Sequence, residues 1–340
     1  MRVKQAMTDI IGNAGLRRRL CDDIINGTSS HAYILAGAHG SGRHTIAMRY
    51  AAALACENKN TDGEPLPCMH CPSCKKIMEG KSPDIIVIKK TGQSVKIEQI
   101  RALKNDVMVV PNDLDNKIYI IEDADTMTEP AQNAFLLTLE EPPPFVRFFL
   151  LCTKPEKLLE TIRSRAPILR TEILQRELVS EYLKAHSDTA RAIENTNRNE
   201  FEEILTMASG SIGRALELCS DTERAPLIKQ RRVASDFIEL ALHKQYAPLV
   251  EHVLQFPKKQ DEIMPILGNM QSALRDLIAL KTAQNAPLVF YTDRERAMEL
   301  AFSCSTSLLL SLYHKLSACV DNISRNANIR LTMTALLSEI

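Results

Sequence analysis

The stretch GAHGSGRHT, Gly37 to Thr45, holds the residue types that cradle phosphate. A glycine-rich turn between a strand and a helix aims backbone N–H groups at an anion, and the helix N-terminus adds its positive end. Gly37, Gly40 and Gly42 supply such a turn. In a working phosphate loop a lysine then reaches the β- and γ-phosphates, and the following serine or threonine holds Mg²⁺. Arg43 and His44 stand at those two places. Arg43 keeps a charge but presents a planar fork instead of a compact ammonium. His44 offers no hydroxyl to Mg²⁺, a hard cation that prefers oxygen, and Thr45 falls one residue too late. The pattern predicts an inherited phosphate loop without competent hydrolysis. A tight turn with no ligand would look the same.

Three further groups carry chemistry. In IYIIEDAD, Ile118 to Asp125, carboxylates follow a predicted strand, where α/β sheets place ligand sites. Glu122 and Asp123 occupy the places where one acid serves Mg²⁺ and a second positions water, with the usual Asp-then-Glu order reversed. Acids that merely cap a strand read the same way. Cys56, Cys68, Cys71 and Cys74 form C-x11-C-x2-C-x2-C. Four thiolates complete a closed tetrahedral Zn²⁺ site, structural because no position stays open. The spacing also admits an iron–sulfur cluster, and reduced cysteines without metal are the plain alternative. His70 is a further candidate ligand but is expected to be exposed, and the polar insert Glu57 to Pro67 to be a flexible loop delivering Cys56. Finally, KPEKLLETIRSRAPILR carries Arg163, Arg165 and Arg170. An arginine presented after a helix, away from its own phosphate loop, suits a finger entering a neighbour's site. A solvated helix end is the alternative.

Positioning these groups requires a parallel sheet. Short apolar runs at Tyr33–Ala36, Asp84–Ile88, Lys117–Ile121, Val146–Cys152 and, more weakly, Pro167–Leu169 read as strands. Helical patterns at Thr45–Ala55, Ile97–Met108, Glu129–Glu141 and Glu156–Ile162 separate them. Near-continuous apolar strands alternating with helices predict a sheet covered on both faces. After Arg170 the strand signals fade. Short helices are expected at Glu177–Lys184, Glu200–Met207 and Ile212–Cys219, then an all-helical block from about residue 225, by apolar spacing such as Leu308, Leu309, Leu312 and Leu316.

At 340 residues the chain is too long for one core and suits two or three domains. Lys+Arg and Asp+Glu each number 42, so no global positive field exists and any nucleic-acid contact must be local. With 45% hydrophobic and 25% charged residues the chain reads as globular rather than disordered. No apolar run approaches the ~20 residues needed to span a bilayer, and the N-terminus lacks a signal-type apolar core. Nine cysteines, an odd number with five scattered singly, argue for a reducing compartment. A cytoplasmic location without membrane contact is expected.

In order and spacing, HAYILAG, the four-cysteine module, IIEDADTMT, NAFLLTLEEPPP and TIRSRA resemble the clamp-loader AAA+ family, specifically the delta prime branch in bacterial DNA polymerase III. The resemblance covers the first ~220 residues, and the helical remainder more loosely. It implies an α/β fold: a P-loop-type AAA+ parallel-sheet domain over 1–170 with an inserted zinc module (56–74), a small helical lid domain (171–222) and an all-α collar domain (223–340). It implies a stator that works with gamma/tau motors and delta, loading the sliding clamp onto primed DNA through the complex. The family's finger lies in a Ser-Arg-Cys motif, read here as Ser164-Arg165-Ala166. Thr153 matches the phosphate sensor after the fourth strand, and Arg214 the second sensor in the lid; both are vestigial if no nucleotide binds. Leu137 stands where the family commonly has lysine, which puts a direct DNA role in doubt. The broken loop implies ATP binding that is weak or absent and no ATPase activity of its own. An ATP-hydrolysing gamma/tau-like subunit and a stand-alone zinc-stabilised binding protein are the other readings.

Overall fold

The computed structural model describes residues 7–59 and 65–339. The first part of the chain runs α1 (Ala14–Ile25), β1 (Ala32–Ala36), α2 (Arg43–Leu54), α3 (Pro72–Met78), β2 (Ile85–Ile88), α4 (Ile97–Asp106), β3 (Lys117–Ile121), α5 (Glu129–Glu140), β4 (Val146–Cys152), α6 (Glu160–Arg163) and β5 (Ile168–Arg170). The five strands form one parallel sheet in the order β2-β3-β4-β1-β5.

Period-two alternation along the strands divides two cores. Tyr33, Leu35, Ile118, Ile120, Phe149 and Leu151 pack on one face with α1, α2 and α3. Ala32, Ile34, Tyr119, Ile121, Phe148 and Leu150 pack on the other with α4, α5 and α6. Because both faces are covered, the strands read as apolar runs. Each large side chain buried this way contributes ~1.5–3 kcal/mol.

The predicted helix Glu156–Ile162 is broken. Pro155–Lys157 makes a 3-10 turn, Leu158 and Leu159 are extended, and α6 starts only at Glu160. The buried Gln132 side chain fixes the break, accepting from Leu159 N at 2.8 Å and donating to the Lys157 carbonyl at 3.3 Å. Helices α1 and α3 add to the predicted set. Of the expected flexible insert, residues 60–64 lie outside the described residues.

The rest of the chain is helical: α7 (Arg176–His186), α8 (Asp188–Thr196), α9 (Arg198–Ala208), α10 (Ile212–Leu218), α11 (Asp221–Leu242), α12 (Tyr246–Leu254), α13 (Gln260–Thr282), α14 (Arg294–Phe302), α15 (Thr306–Ser324) and α16 (Ile329–Glu339). The chain forms two compact units, 1–178 with 211–214, and 179–210 with 215–340. The second holds an apolar core supplied by α11 to α16. Within it, the fully buried Asp276 carboxylate accepts from Val289, Phe290 and Tyr291 N–H. Among the described residues no helix is long and apolar enough to cross a membrane.

Candidate functional site

The predicted site residues of the sheet unit converge at the carboxyl ends of three adjacent strands. Gly37–Gly42 follow β1, Glu122 and Asp123 follow β3, and Thr153 follows β4. Parallel register brings them level, with Ala36 beside Cys152 and Ile121 beside Leu150. Gly37 N–H anchors the loop's root on the Cys152 carbonyl at 3.1 Å.

Gly40 and Gly42 take left-handed backbone conformations, φ 72° and 83°, which side chains disfavour. Gly42 is the N-cap of α2. The loop's outer side is covered by the segment 211–214: Ser211 Oγ donates to the His39 carbonyl at 2.8 Å, and Gly213 N–H to the Gly40 carbonyl at 2.9 Å. A Cβ on Gly40 would lie 2.3 Å from the Arg214 backbone nitrogen. Arg214, the expected second sensor, thus sits with its backbone against the loop. Thr171, after β5, donates to Ser41 Oγ at 2.9 Å.

The residues at the two departed positions behave differently. Arg43 is buried, only 8% exposed, and among the described residues its Nη1 has no hydrogen-bond partner. His44 turns outward, and its Nδ1 meets Glu122 Oε1 at 2.9 Å. Thr45 is exposed. The other Glu122 oxygen faces Lys89 at 3.7 Å, and Asp123 pairs with Lys90 at 3.0 Å. Both acids expected to serve Mg²⁺ and water are therefore matched by the protein's own cations. Thr153 Oγ1 donates to Asp125 at 2.8 Å, and Lys154 N–H donates to the same oxygen at 3.0 Å. Asp125 ends the quoted IYIIEDAD stretch, but its partnership with Thr153 had no sequence signal.

The four cysteines come together. Cys56, Cys68, Cys71 and Cys74 are all buried, and their sulfurs lie within 4.8 Å of one another. The two-residue gaps fold as sulfur-capped turns: Cys71 N–H donates to Cys68 Sγ and Cys74 N–H to Cys71 Sγ, each at 3.4 Å. Cys71 is thereby the N-cap of α3, with Pro72 opening the helix. Glu57 fastens the other side by accepting from Ser73 N–H and Oγ. Burial pushes the Cys56 and Cys74 thiols up. It pushes Cys68 up too, but the His70 and Cys71 N–H groups and neighbouring thiols bring Cys68 down to about 6. Four buried sulfurs cannot all ionise without a cation among them. A tetrahedral S₄ site with bonds of about 2.3 Å needs sulfurs about 3.8 Å apart, and sulfurs all within 4.8 Å of one another need only a small closure to reach it. Those four residues could hold a metal; His70 is exposed outside them.

Arg165 is not at the loop. Its guanidinium donates to Glu140 Oε1 at 2.7 Å and to the Thr161 carbonyl at 3.0 Å. It also lies 3.5 Å from the hydroxyl of exposed Ser164. Its side chain is 37% exposed and Glu140's is 44%. Glu140, near the end of α5 in the LEEPPP stretch, is a partner that spacing did not reveal.

The DNA polymerase III delta subunit family model matches residues 12–175. The delta' subunit of DNA polymerase III from Bacillus subtilis is 32% identical over 87% of this chain and 87% of its own length. The gamma subunit from Buchnera aphidicola is 30% identical over 84% of this chain and 80% of its own. The tau/gamma subunit from Haemophilus influenzae is 30% identical over 69% of this chain, which spans only 33% of that longer protein.

Proposed function

The chain belongs to the DNA polymerase III clamp-loader family of AAA+ proteins, and from that premise we propose that it is the non-motor delta prime subunit. In this reading it assembles with gamma/tau and delta subunits in the cytoplasm and helps load the sliding clamp onto primed DNA through the complex. It has no ATPase activity of its own and offers Arg165 to a neighbour's ATP. The observation that carries the reading is the His44–Glu122 pair at 2.9 Å. A motor needs that acid for its metal and water; here a side chain from the loop's own helix occupies it. Mg²⁺-ATP then binds weakly or not at all, and Thr153 and Arg214 are inherited sensors. Residues 171–222 serve as lid and 223–340 as collar.

Arg165 meets the first need of a finger, a half-exposed guanidinium after a short helix. Glu140 is a weak competitor, because exposed ion pairs contribute only about 0–1 kcal/mol. A neighbour's triphosphate would displace it. Ser164 flanks the finger. Zn²⁺ is the metal we assign to the four cysteines, in a closed structural role.

The test is a loader reconstituted with Arg165→Ala. Assembly by size-exclusion chromatography should be intact. ATP turnover should fall on the order of 10³-fold at the site the finger faces, as arginine fingers supply. Normal turnover in an intact complex would remove the assignment. A gamma-like motor is the second reading, favoured by the Buchnera aphidicola gamma subunit's 30% identity over 80% of its length. Mg²⁺-dependent ATP hydrolysis by the isolated chain would establish it instead.

A further inference from the structure

We infer that the groove between α12 and α16 is a docking site for an acidic amphipathic helix of a partner protein. The groove lies between the end of α12, with its connection to α13, and the turn that leads from α15 into α16. Its volume is about 1210 Å³, above the roughly 300–1,000 Å³ of small-ligand pockets. Phe256, Ile323 and Met333 line it from the helical core, where all three are buried. Val250 and Leu254 line it from α12 and are 45% and 60% exposed. Tyr246, 51% exposed, stands one turn earlier on the same helix. The three recur at four-residue spacing and so share one face, in a stripe about 12 Å long at the ~1.5 Å rise of a helix. Apolar side chains contiguous in this way, beside a groove, mark an interaction surface; scattered single ones do not.

Charge and backbone geometry choose the occupant. Lys258 and Arg330 line the groove, and among the described residues no Asp or Glu does. Neither cation has an ion-pair partner among the described residues. The same end of the groove holds the N-terminus of α16, with no acid in its first turn, and its helix dipole adds to the positive side. An acidic edge is matched there and a basic one is repelled. Among the described residues no strand follows β5, so an extended segment finds no ladder to join, while a helix laid along the groove can seat anchors one turn apart. A second copy of this chain has no such helix to offer in α9, its most acidic amphipathic element. The Phe201, Ile204 and Leu205 side chains that alternate there with Glu200, Glu202 and Glu203 are already buried.

The test uses the intact chain and a fluorescein-labelled designed helix of about 16 residues, with leucines one turn apart and glutamates on both flanks. A second peptide carries lysine in place of every glutamate. Fluorescence anisotropy should show saturable binding of the acidic peptide that weakens as salt rises, and binding of the basic one at least about tenfold weaker. Leu254→Asp should weaken the acidic peptide about tenfold or more, the loss of an apolar anchor. Arg330→Glu should weaken it about fivefold, since it removes an exposed ion pair and adds a repulsion. Both positions are exposed, so melting temperatures should stay near the parent's, and Leu254→Ala covers the case in which Asp does not fold. In the reconstituted loader Leu254→Asp should leave assembly and ATP turnover intact. No binding of the acidic peptide, equal binding of the two peptides, or unchanged binding by Leu254→Asp would each overturn the proposal. So would loss of assembly, which would make the groove a contact between loader subunits. None of these outcomes bears on Arg165, which is read by its own substitution in the assembled loader.

Discussion

Gly40 and Gly42 share a left-handed backbone but not their surroundings. At Gly42 an added methyl meets open space, so Gly42→Ala should cost only the conformational penalty, about 1–2 kcal/mol. At Gly40 the methyl would strike the backbone of Arg214 and Gly213, which cannot rotate away. Gly40→Ala should cost that penalty and about 1–3 kcal/mol more, the usual range for overpacking. Urea unfolding of the two variants checks the difference; equal losses would mean that the 211–214 segment yields freely. The sequence showed three glycines in a loop motif. It did not show which glycine was needed for φ and which for close approach, because the approaching residue lies 173 positions away in sequence, Gly213 against Gly40.

Among the elements, the cysteine module is the most legible. Two x2 gaps close as N–H···S turns, and a proline opens the following helix; both are local rules. Cys56 arrives from the end of α2, so the cluster ties that helix to α3. The purified chain should carry one zinc, measured by elemental analysis. Stripping it with a chelator should lower the melting temperature, and Cys71→Ser should lose the metal. A stoichiometric iron–sulfur absorbance would replace zinc as the assignment, and a metal-free chain with unchanged melting would remove it. The break before α6 was less legible. Helical spacing from Glu156 to Ile162 was real, but Pro155 and the Gln132 side chain, from α5, held two residues extended. Local propensity gave way to a tertiary hydrogen bond.

At the scale of the whole molecule, the chemistry splits between two places. The carboxyl edge of the sheet holds an inherited loop whose acids are paired internally, while Arg165 rests on Glu140 elsewhere. Because the Arg165–Glu140 pair is largely solvated, Glu140→Gln should change the stability of the isolated chain by no more than about 0.5 kcal/mol. In the assembled loader its effect on ATP turnover should vanish when Arg165 is already alanine. An effect that survives Arg165→Ala would show that Glu140 acts by another route. Local sequence suffices for the strands, the two-sided sheet, the sulfur turns and the departure of Arg43 and His44 from the motif. Each of these is written in neighbouring residues, through side-chain alternation, turn chemistry and residue type. Folding was needed to bring His44 to Glu122, to bury Arg43 with no partner for its Nη1 among the described residues, and to close Ser211 and Gly213 over the loop. Those pairings depend on strand order β2-β3-β4-β1-β5, which sets β1 beside β4 and one strand from β3 although β2 follows it in the chain. That order is fixed by packing both faces of the sheet at once, and no short stretch of sequence carries it.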